Sequence, residues 1–369
     1  MASSNTPTDE SWSCAKSWIE QCTTSHSRCN ALYDKTWHPT RLLDIQDASH
    51  QVRLVETDTC DVSGPYATLS HRWPRDFQTA LILRPDTYDL FCQGVAIVHL
   101  PQTVQDSITC CKNLSIRYLW VDCMCIIQNP EDPVDWRKEA SVMDKVYTHG
   151  HVNLSAVAAD NTESSMFQPG DTPSRSGMVT ASIAQKLGLS EGPRRYRVIN
   201  ADSWTQNVSR SHMNARAWIL QERILSPRTL HFGFGQLFWE CCIEVAAEDY
   251  PTGLPPHIRG LVGPQHGKKG LKNLQADAQI PFWWNDRTVD RGRGVYFMWA
   301  RTVEKYSTCA LTKSSDKLVA LSGLARRVNS MVDDAYVAGI WQRFLPMQLF
   351  WVATSKIGKA PISLVKRSH

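Results

Sequence analysis

The chain has 369 residues, 42% of them hydrophobic, and a formal charge of +4 spread along its length. That size and apolar content exclude a structureless polymer and suffice for one large core, or for a core domain with a smaller C-terminal layer. No clustered Lys/Arg stripe offers an electrostatic footprint for nucleic acid, and no apolar run reaches the length of a membrane span.

Met1 to Glu10 is polar and acidic and does not read as a secretory signal, so a reducing, cytoplasmic setting is expected. Residues 1–40 form a lead-in with helical character over 11–22. Short strands follow at 41–45 and 52–56. Residues 66–70 alternate weakly and end in His71-Arg72-Trp73-Pro74, where proline stops any regular ladder, so a strand leads into a loop of functional type.

Leu100-Pro101 opens a helix, with proline tolerated in its first turn and Val104, Ile108 and Cys111 following at helical spacing. Residues 116–121 are an apolar and aromatic run ending in Asp122, the pattern of a strand buried on both faces. A helix over 135–147 and a strand over 152–157 come next. Residues 167–214, rich in Gly, Pro, Ser and Arg, read as an excursion with one strand near 196–199. A short helix at 218–225 precedes strands at 229–232 and 237–241, joined by Gly233-Phe234-Gly235-Gln236. Residues 250–290 are loop-like, with a Gly/Lys/His-rich stretch at 263–272. Amphipathic helices at 295–306, 316–329 and 335–354 carry Trp299, Trp341 and Trp351.

Helices alternating with short apolar strands predict an α/β fold: a central, mostly parallel sheet flanked by helices, with an inserted β-hairpin and a C-terminal helical layer. The expected organisation is a lead-in at 1–40, a main domain at 41–245, a loop-rich linker at 246–294 and a helical region at 295–369 packed on the main domain. No internal repeat is found. The twelve cysteines are scattered, and those in apolar runs, such as Cys110, Cys111, Cys123 and Cys125, read as small buried hydrophobes. Cys123-x-Cys125, Cys110-Cys111 and Cys241-Cys242 lack the spacing that wraps a tetrahedral ion, so neither a metal nor a bound cofactor is expected.

Three blocks stand out: Tyr66-Ala-Thr-Leu-Ser70-His-Arg-Trp73; Leu119-Trp-Val-Asp122-Cys-Met-Cys125-Ile-Ile-Gln128 running into Asp135-Trp136-x-x-Glu139-Ala-x-x-Met143-x-x-x-Tyr147; and Arg216-Ala-Trp218-x-Leu-Gln221-Glu222-Arg223-x-Leu-Ser-Pro227-Arg-x-Leu-His231-Phe. In content and order they resemble the signature of HET (heterokaryon incompatibility) domain proteins of filamentous fungi, and weaker similarity extends the match over about residues 40–355. The resemblance implies a TIR-like fold and a role in regulated cell death or self/non-self response. Some members of that wider group hydrolyse NAD at the nicotinamide ribosyl bond, which the resemblance extends to this chain as an expectation. One block departs from the family, which usually shows Tyr-Cys-Trp-Gly where this chain has His71-Arg72-Trp73-Pro74. Loss of that glycine removes a backbone position suited to close approach of a ligand.

Glu139 is the catalytic candidate. Advancing about 100° per residue places Trp136, Ala140, Met143, Val146 and Tyr147 on one arc with Glu139 inside it, and Arg137, Lys138, Asp144 and Lys145 on the opposite arc. A carboxylate held in an apolar cleft suits a reaction that builds positive charge on a ribose, and Trp136-x-x-Glu139 resembles the surroundings of the catalytic glutamate in TIR-like NAD hydrolases. The competing role is a buried ion pair with Arg72, Arg216 or Arg223.

Ser70, His71, Arg72 and Trp73 lie at the end of a strand, where open α/β sheets bind ligands. Arg72 suits a phosphate and Trp73 a base, although a lone arginine there is as readily a surface or ion-paired residue and a tryptophan is more often core. Asp122 either holds a ribose hydroxyl or caps the following turn, and capping is the preferred reading. Cys123 and Cys125 could act as nucleophiles with His71 as base, but packing is the preferred role. Arg216, Gln221, Glu222 and Arg223 read as a polar network that joins a helix to the sheet or supports Glu139.

The expected substrate is NAD, a related nucleotide or another small molecule, acted on by a homo-oligomer that binds no nucleic acid. Two further function classes stay open: a non-catalytic signalling module that works by assembly, and an enzyme of small-molecule secondary metabolism.

Overall fold

The computed structural model describes residues 7–46, 50–74, 76, 80–170, 178–181, 183–188, 194–197, 200–256, 258 and 291–349. The polar N-terminal stretch becomes α1 (Asp9–Ser25) and α2 (Ser27–Asn30). α1 begins where Thr8, extended at φ −73° and ψ 168°, accepts the Ser11 amide with its hydroxyl, and Asp9 and Glu10 occupy the positive end of the helix dipole. Trp12, Ala15, Trp18, Ile19 and Cys22 recur at helical spacing and are buried.

There follow β1 (Arg41–Asp44), β2 (Gln51–Glu56), β3 (Tyr66–Ser70), α3 (Tyr88–Gln93), β4 (Val95–Ala96), α4 (Gln102–Asn113), β5 (Tyr118–Trp120), α5 (Asp122–Cys125), α6 (Val134–His149) and β6 (Val152–Ser155). The excursion contributes β7 (Met178–Ala181), α7 (Ile183–Lys186) and β8 (Arg194–Arg197), with β7 and β8 pairing as a separate antiparallel ribbon. Then come α8 (Ala217–Leu225), β9 (Arg228–Phe232), β10 (Leu237–Cys241) and β11 (Val245–Ala247). The C-terminal part holds α9 (Arg291–Ser307), α10 (Val319–Val332), β12 (Tyr336–Val337), β13 (Ile340–Trp341) and α11 (Leu345–Gln348).

The main sheet has the order β11-β10-β9-β6-β3-β5-β1-β2-β4. Its centre, β9-β6-β3-β5, is parallel, and both wings are antiparallel. The predicted parallel sheet is therefore found at the centre. β3, β5 and β6 are buried along their whole length, which is why they read as apolar runs, whereas β2 alternates.

Along the chain, β5 is laid on one side of β3 and β6 on the other. By the general right-handedness of such crossovers, connections running in opposite directions belong on opposite faces of the sheet. The carboxyl ends of β3 and β5, where the strand order reverses, are the place at which open α/β sheets form a ligand crevice.

α6 buries Glu139, Ala140, Met143, Val146 and Tyr147, the arc expected from its periodicity, and packs against α8 and α10. Trp12 and Trp18 of α1, Trp120 of β5, and Trp299 and Trp341 of the C-terminal part belong to one hydrophobic cluster. Lead-in and C-terminal layer thus share the core of the sheet.

The helix expected over 335–354 is not formed at its start. Residues 336–341 are the β12-β13 hairpin, because Ala338 at φ 51° and Gly339 at φ 97° adopt the left-handed pair of a two-residue hairpin turn. Trp341 then packs edge-on against Trp299 at 5.6 Å. Trp351, the 263–272 stretch, residues 198–199 of the expected excursion strand and the end of the last helix lie outside the described residues. No helix among the described residues is long and apolar enough to cross a membrane.

Candidate functional site

At the carboxyl ends of β3 and β5 the structure gathers Ser70, His71, Trp73, Asp122, Tyr147, Arg216 and Glu222. Ser70 is the last residue of β3, and Asn153 sits in register beside Thr68 on the neighbouring β6. The Thr68 hydroxyl donates to Asn153 Oδ1 at 3.0 Å, which turns Asn153 Nδ2 toward Ser70 Oγ, also at 3.0 Å. With its lone pair so occupied, the Ser70 hydroxyl donates to Glu222 Oε2 at 2.5 Å. A chain of buried polar groups therefore runs from β6 through β3 into α8.

Glu222 is 3% exposed. Burial first, then the negative charge of Asp122, lift its carboxyl from the ordinary 4.5 to about 7, against the opposing pull of Ser70, Tyr147 and Arg216. The Tyr147 hydroxyl is buried on α6 beside Glu222 and Ser70, and burial raises its pKa well above the phenol range.

Asp122 is partly open to solvent, its side chain 15% exposed. One carboxylate oxygen accepts the amide of the next residue, Cys123, at 2.7 Å, and the other accepts the Trp73 indole N–H at 2.5 Å. The expected side-chain cap is not formed, because α5 starts at Asp122 itself and follows Val121. Trp73 is half-buried against the core, so its role here is to aim a carboxylate. Arg72 is half-buried at the same rim.

The His71 ring stands between Asp122 and Cys123, with Nδ1 3.9 Å from Asp122 Oδ1 and Nε2 3.7 Å from Cys123 Sγ. Burial, only partly offset by Asp122, depresses the His71 pKa below 6.5, which keeps the imidazole neutral at neutral pH. Burial also raises the Cys123 thiol well above 9, so the thiolate needed for nucleophilic attack is not formed. Cys125 is raised to about 12 by the same cause. Both cysteines pack, as preferred from the sequence. Arg216 donates to the His71 carbonyl at 2.9 Å and so fixes the backbone just past β3.

Glu139 points inward, as expected, at 2% exposed. Its partner is none of the three arginines weighed from the sequence: Arg41, at the start of β1, lies 3.8 Å from Glu139 Oε1. Arg41 is committed more closely to Asp135, at 2.5 and 2.7 Å, and to the Cys125 carbonyl at 3.0 Å. Burial raises the Glu139 pKa, and Oε1 makes no hydrogen bond among the described residues. Trp136, half-buried, meets Trp218 edge-on at 6.3 Å and joins α6 to α8.

The remaining members of the expected network separate. Gln221 Oε1 accepts the Gly323 amide at 3.0 Å and docks α10, while Arg223 donates to Glu240 of β10 at 2.6 Å. His231 joins that second group, with Nε2 3.3 Å from Glu240. Of the four, only Glu222 and Arg216 reach the crevice.

Sequence reasoning did not single out Tyr147 as a polar group, nor Asn153 or Arg41. The available signal for Asn153 was a polar residue inside a strand otherwise apolar on both faces. Among the described residues two groups of metal-capable side chains lie close together: His71, Asp122 and Cys123, and Cys22, His26, Cys29 and Cys241. In the first, the imidazole directs a different nitrogen to each neighbour, at 3.9 Å to Asp122 and 3.7 Å to Cys123.

Residues 66–222 match the family model described as heterokaryon incompatibility protein (HET). No curated protein and no solved structure matches the chain.

Proposed function

From the premise that this is a HET-domain protein, its domain signature spanning residues 66–222, we propose that it is an effector of heterokaryon incompatibility that hydrolyses the N-glycosidic bond of NAD or a related nucleotide, with Glu222 and Asp122 as its acidic pair. The observation that carries this reading is the Glu222 carboxyl, held near neutrality at about 7, beside a second carboxylate at the mouth of the crevice. Two carboxyls in unlike surroundings can take unlike roles.

In the reaction, water adds its oxygen to the ribose carbon as the carbon–nitrogen bond breaks. The bonding electrons pass to the ring nitrogen, which leaves neutral, and the water proton needs an acceptor. Asp122, oriented by Trp73 and Cys123, faces the positive charge that grows on the ribose. Ionised Glu222 receives the proton through the Ser70 hydroxyl that already donates to it. Arg72, at the rim, suits the pyrophosphate of a dinucleotide.

The test is release of nicotinamide and ADP-ribose from NAD by the purified full chain, followed by mass spectrometry over a range of protein concentrations. Turnover is expected to rise with pH through one inflection near 7 and to fall about a hundredfold or more in Glu222→Gln. Absence of turnover at every concentration would overturn the proposal. It would favour the second reading, a non-catalytic assembly module, which the depth of Ser70, His71 and Glu222 supports because a closed polar network also serves as a latch.

A further inference from the structure

The second group of metal-capable side chains lies at the opposite end of the sheet from the crevice. Cys241 ends β10, and β10 runs antiparallel to β9 with Cys241 paired to Arg228, so Cys241 sits at the amino ends of the parallel strands. The other three come from a short N-terminal span, Cys22-x-x-x-His26-x-x-Cys29. α1 stops at His26, whose φ of −99° and ψ of 83° break the helix, and α2 starts at the next residue. Cys22 in the last turn of α1, His26 at the break and Cys29 in α2 are thereby turned to one point.

The four donor atoms lie within 4.8 Å of one another, and His26 Nδ1 is 3.5 Å from Cys241 Sγ. A tetrahedral zinc ion with bonds of about 2.0–2.3 Å holds its donors roughly 3.5–3.8 Å apart, so little adjustment closes the sphere. An iron–sulfur cluster would interpose several atoms and spread the sulfurs further. Cys22 and Cys241 are 0% exposed and Cys29 2%, while His26 is half-buried.

The surroundings are those of a ligand shell. Asn30 Nδ2 donates to the carbonyls of Cys22, Thr23 and His26 at 3.2, 3.0 and 3.1 Å, which locks the turn. Its Oδ1 accepts from Arg228, a fully buried cation that offsets negative charge at this end of the sheet. The Glu244 amide points at Cys241 Sγ at 3.2 Å, and the backbone of Cys242 donates to Cys29. Such donors stabilise metal-bound thiolates.

We propose that Cys22, His26, Cys29 and Cys241 bind one zinc ion as a closed structural site that ties the N-terminal helices to the edge of the sheet. Four protein ligands leave no open position, so the site holds structure and performs no chemistry. Soft thiolates with one imidazole favour zinc over magnesium or calcium.

The test uses the full chain, prepared reduced with zinc present and no chelator. Elemental analysis is expected to give one zinc per chain, and cobalt(II) exchange the visible bands of tetrahedral thiolate coordination. Cys29→Ser should lose both. His26→Ala should lose zinc to a chelator faster than the parent, and His26→Cys should retain it. Cys60→Ser, at an exposed cysteine, should match the parent. Because Cys29→Ser can fail to fold, the two variants at half-buried His26 carry the test independently. Zinc far below one per chain, an octahedral cobalt spectrum, or a peptide map with a disulfide among Cys22, Cys29 and Cys241 would each overturn the assignment.

Discussion

Glu222 and Glu139 are both buried carboxyls on helices that pack together, yet their partners differ. Glu139 faces Arg41, which already has Asp135, so loss of the glutamate leaves no orphaned cation. Glu139→Gln is expected to change stability by about 1 kcal/mol or less and to keep turnover, whereas Glu222→Gln loses it. Loss in Glu139→Gln with retention in Glu222→Gln would return the catalytic role to Glu139. Glu222 also makes stability depend on pH. A carboxyl at about 7 in the fold, against an ordinary 4.5, binds its proton more tightly folded than unfolded. Its contribution is full below the unfolded value and is lost as pH rises through 7. Urea unfolding at about pH 5 and pH 8 should show Glu222→Gln gaining up to ~3 kcal/mol on the parent across that interval. A difference that does not vary with pH would show that Glu222 is solvated and ionised in the fold.

Elements were legible wherever periodicity acted alone. The inward arc of α6 and the strand at β3 followed from spacing and residue type. The 335–354 helix failed because helical spacing of apolar residues competes there with a turn, and two positive-φ positions won. Contacts between helices had no local signature. Gly323 lets α10 approach α6 and α8, since a Cβ there would lie 2.5 Å from Asp144 Cβ and 2.8 Å from Gln221 Oε1. Asp144 Cβ is fixed by the α6 backbone and cannot swing away. Gly323→Ala should therefore destabilise the chain by about 1–3 kcal/mol despite the better helix propensity of alanine. An unchanged or raised melting temperature would contradict that close approach.

At the scale of the molecule, the HET match covers less of the chain than the sheet does. β1 and β2 precede residue 66, and β9, one of the four central parallel strands, follows residue 222. Residues 66–222 expressed alone would expose both edges of β3, β5 and β6 and are expected to aggregate or stay unfolded. A cooperative thermal transition for that fragment would show that the wings are dispensable. The N-terminal helices belong to the same core, with Trp18 stacked on Trp239 at 6.2 Å, and the proposed zinc site would fasten them there.

Periodicity and motif order were enough to set the class of fold, the central strands and the neighbourhood of Ser70, Asp122 and Glu139, because those depend on residues close in sequence. Partners were decided only by folding. Glu222 meets Ser70 from 152 positions away, and Cys241 meets His26 from 215. The linear chain carries no measure of such distances. Burial and neighbouring charge, which give a carboxyl its proton and a group of thiols its metal, exist only once the strands and helices have been brought together.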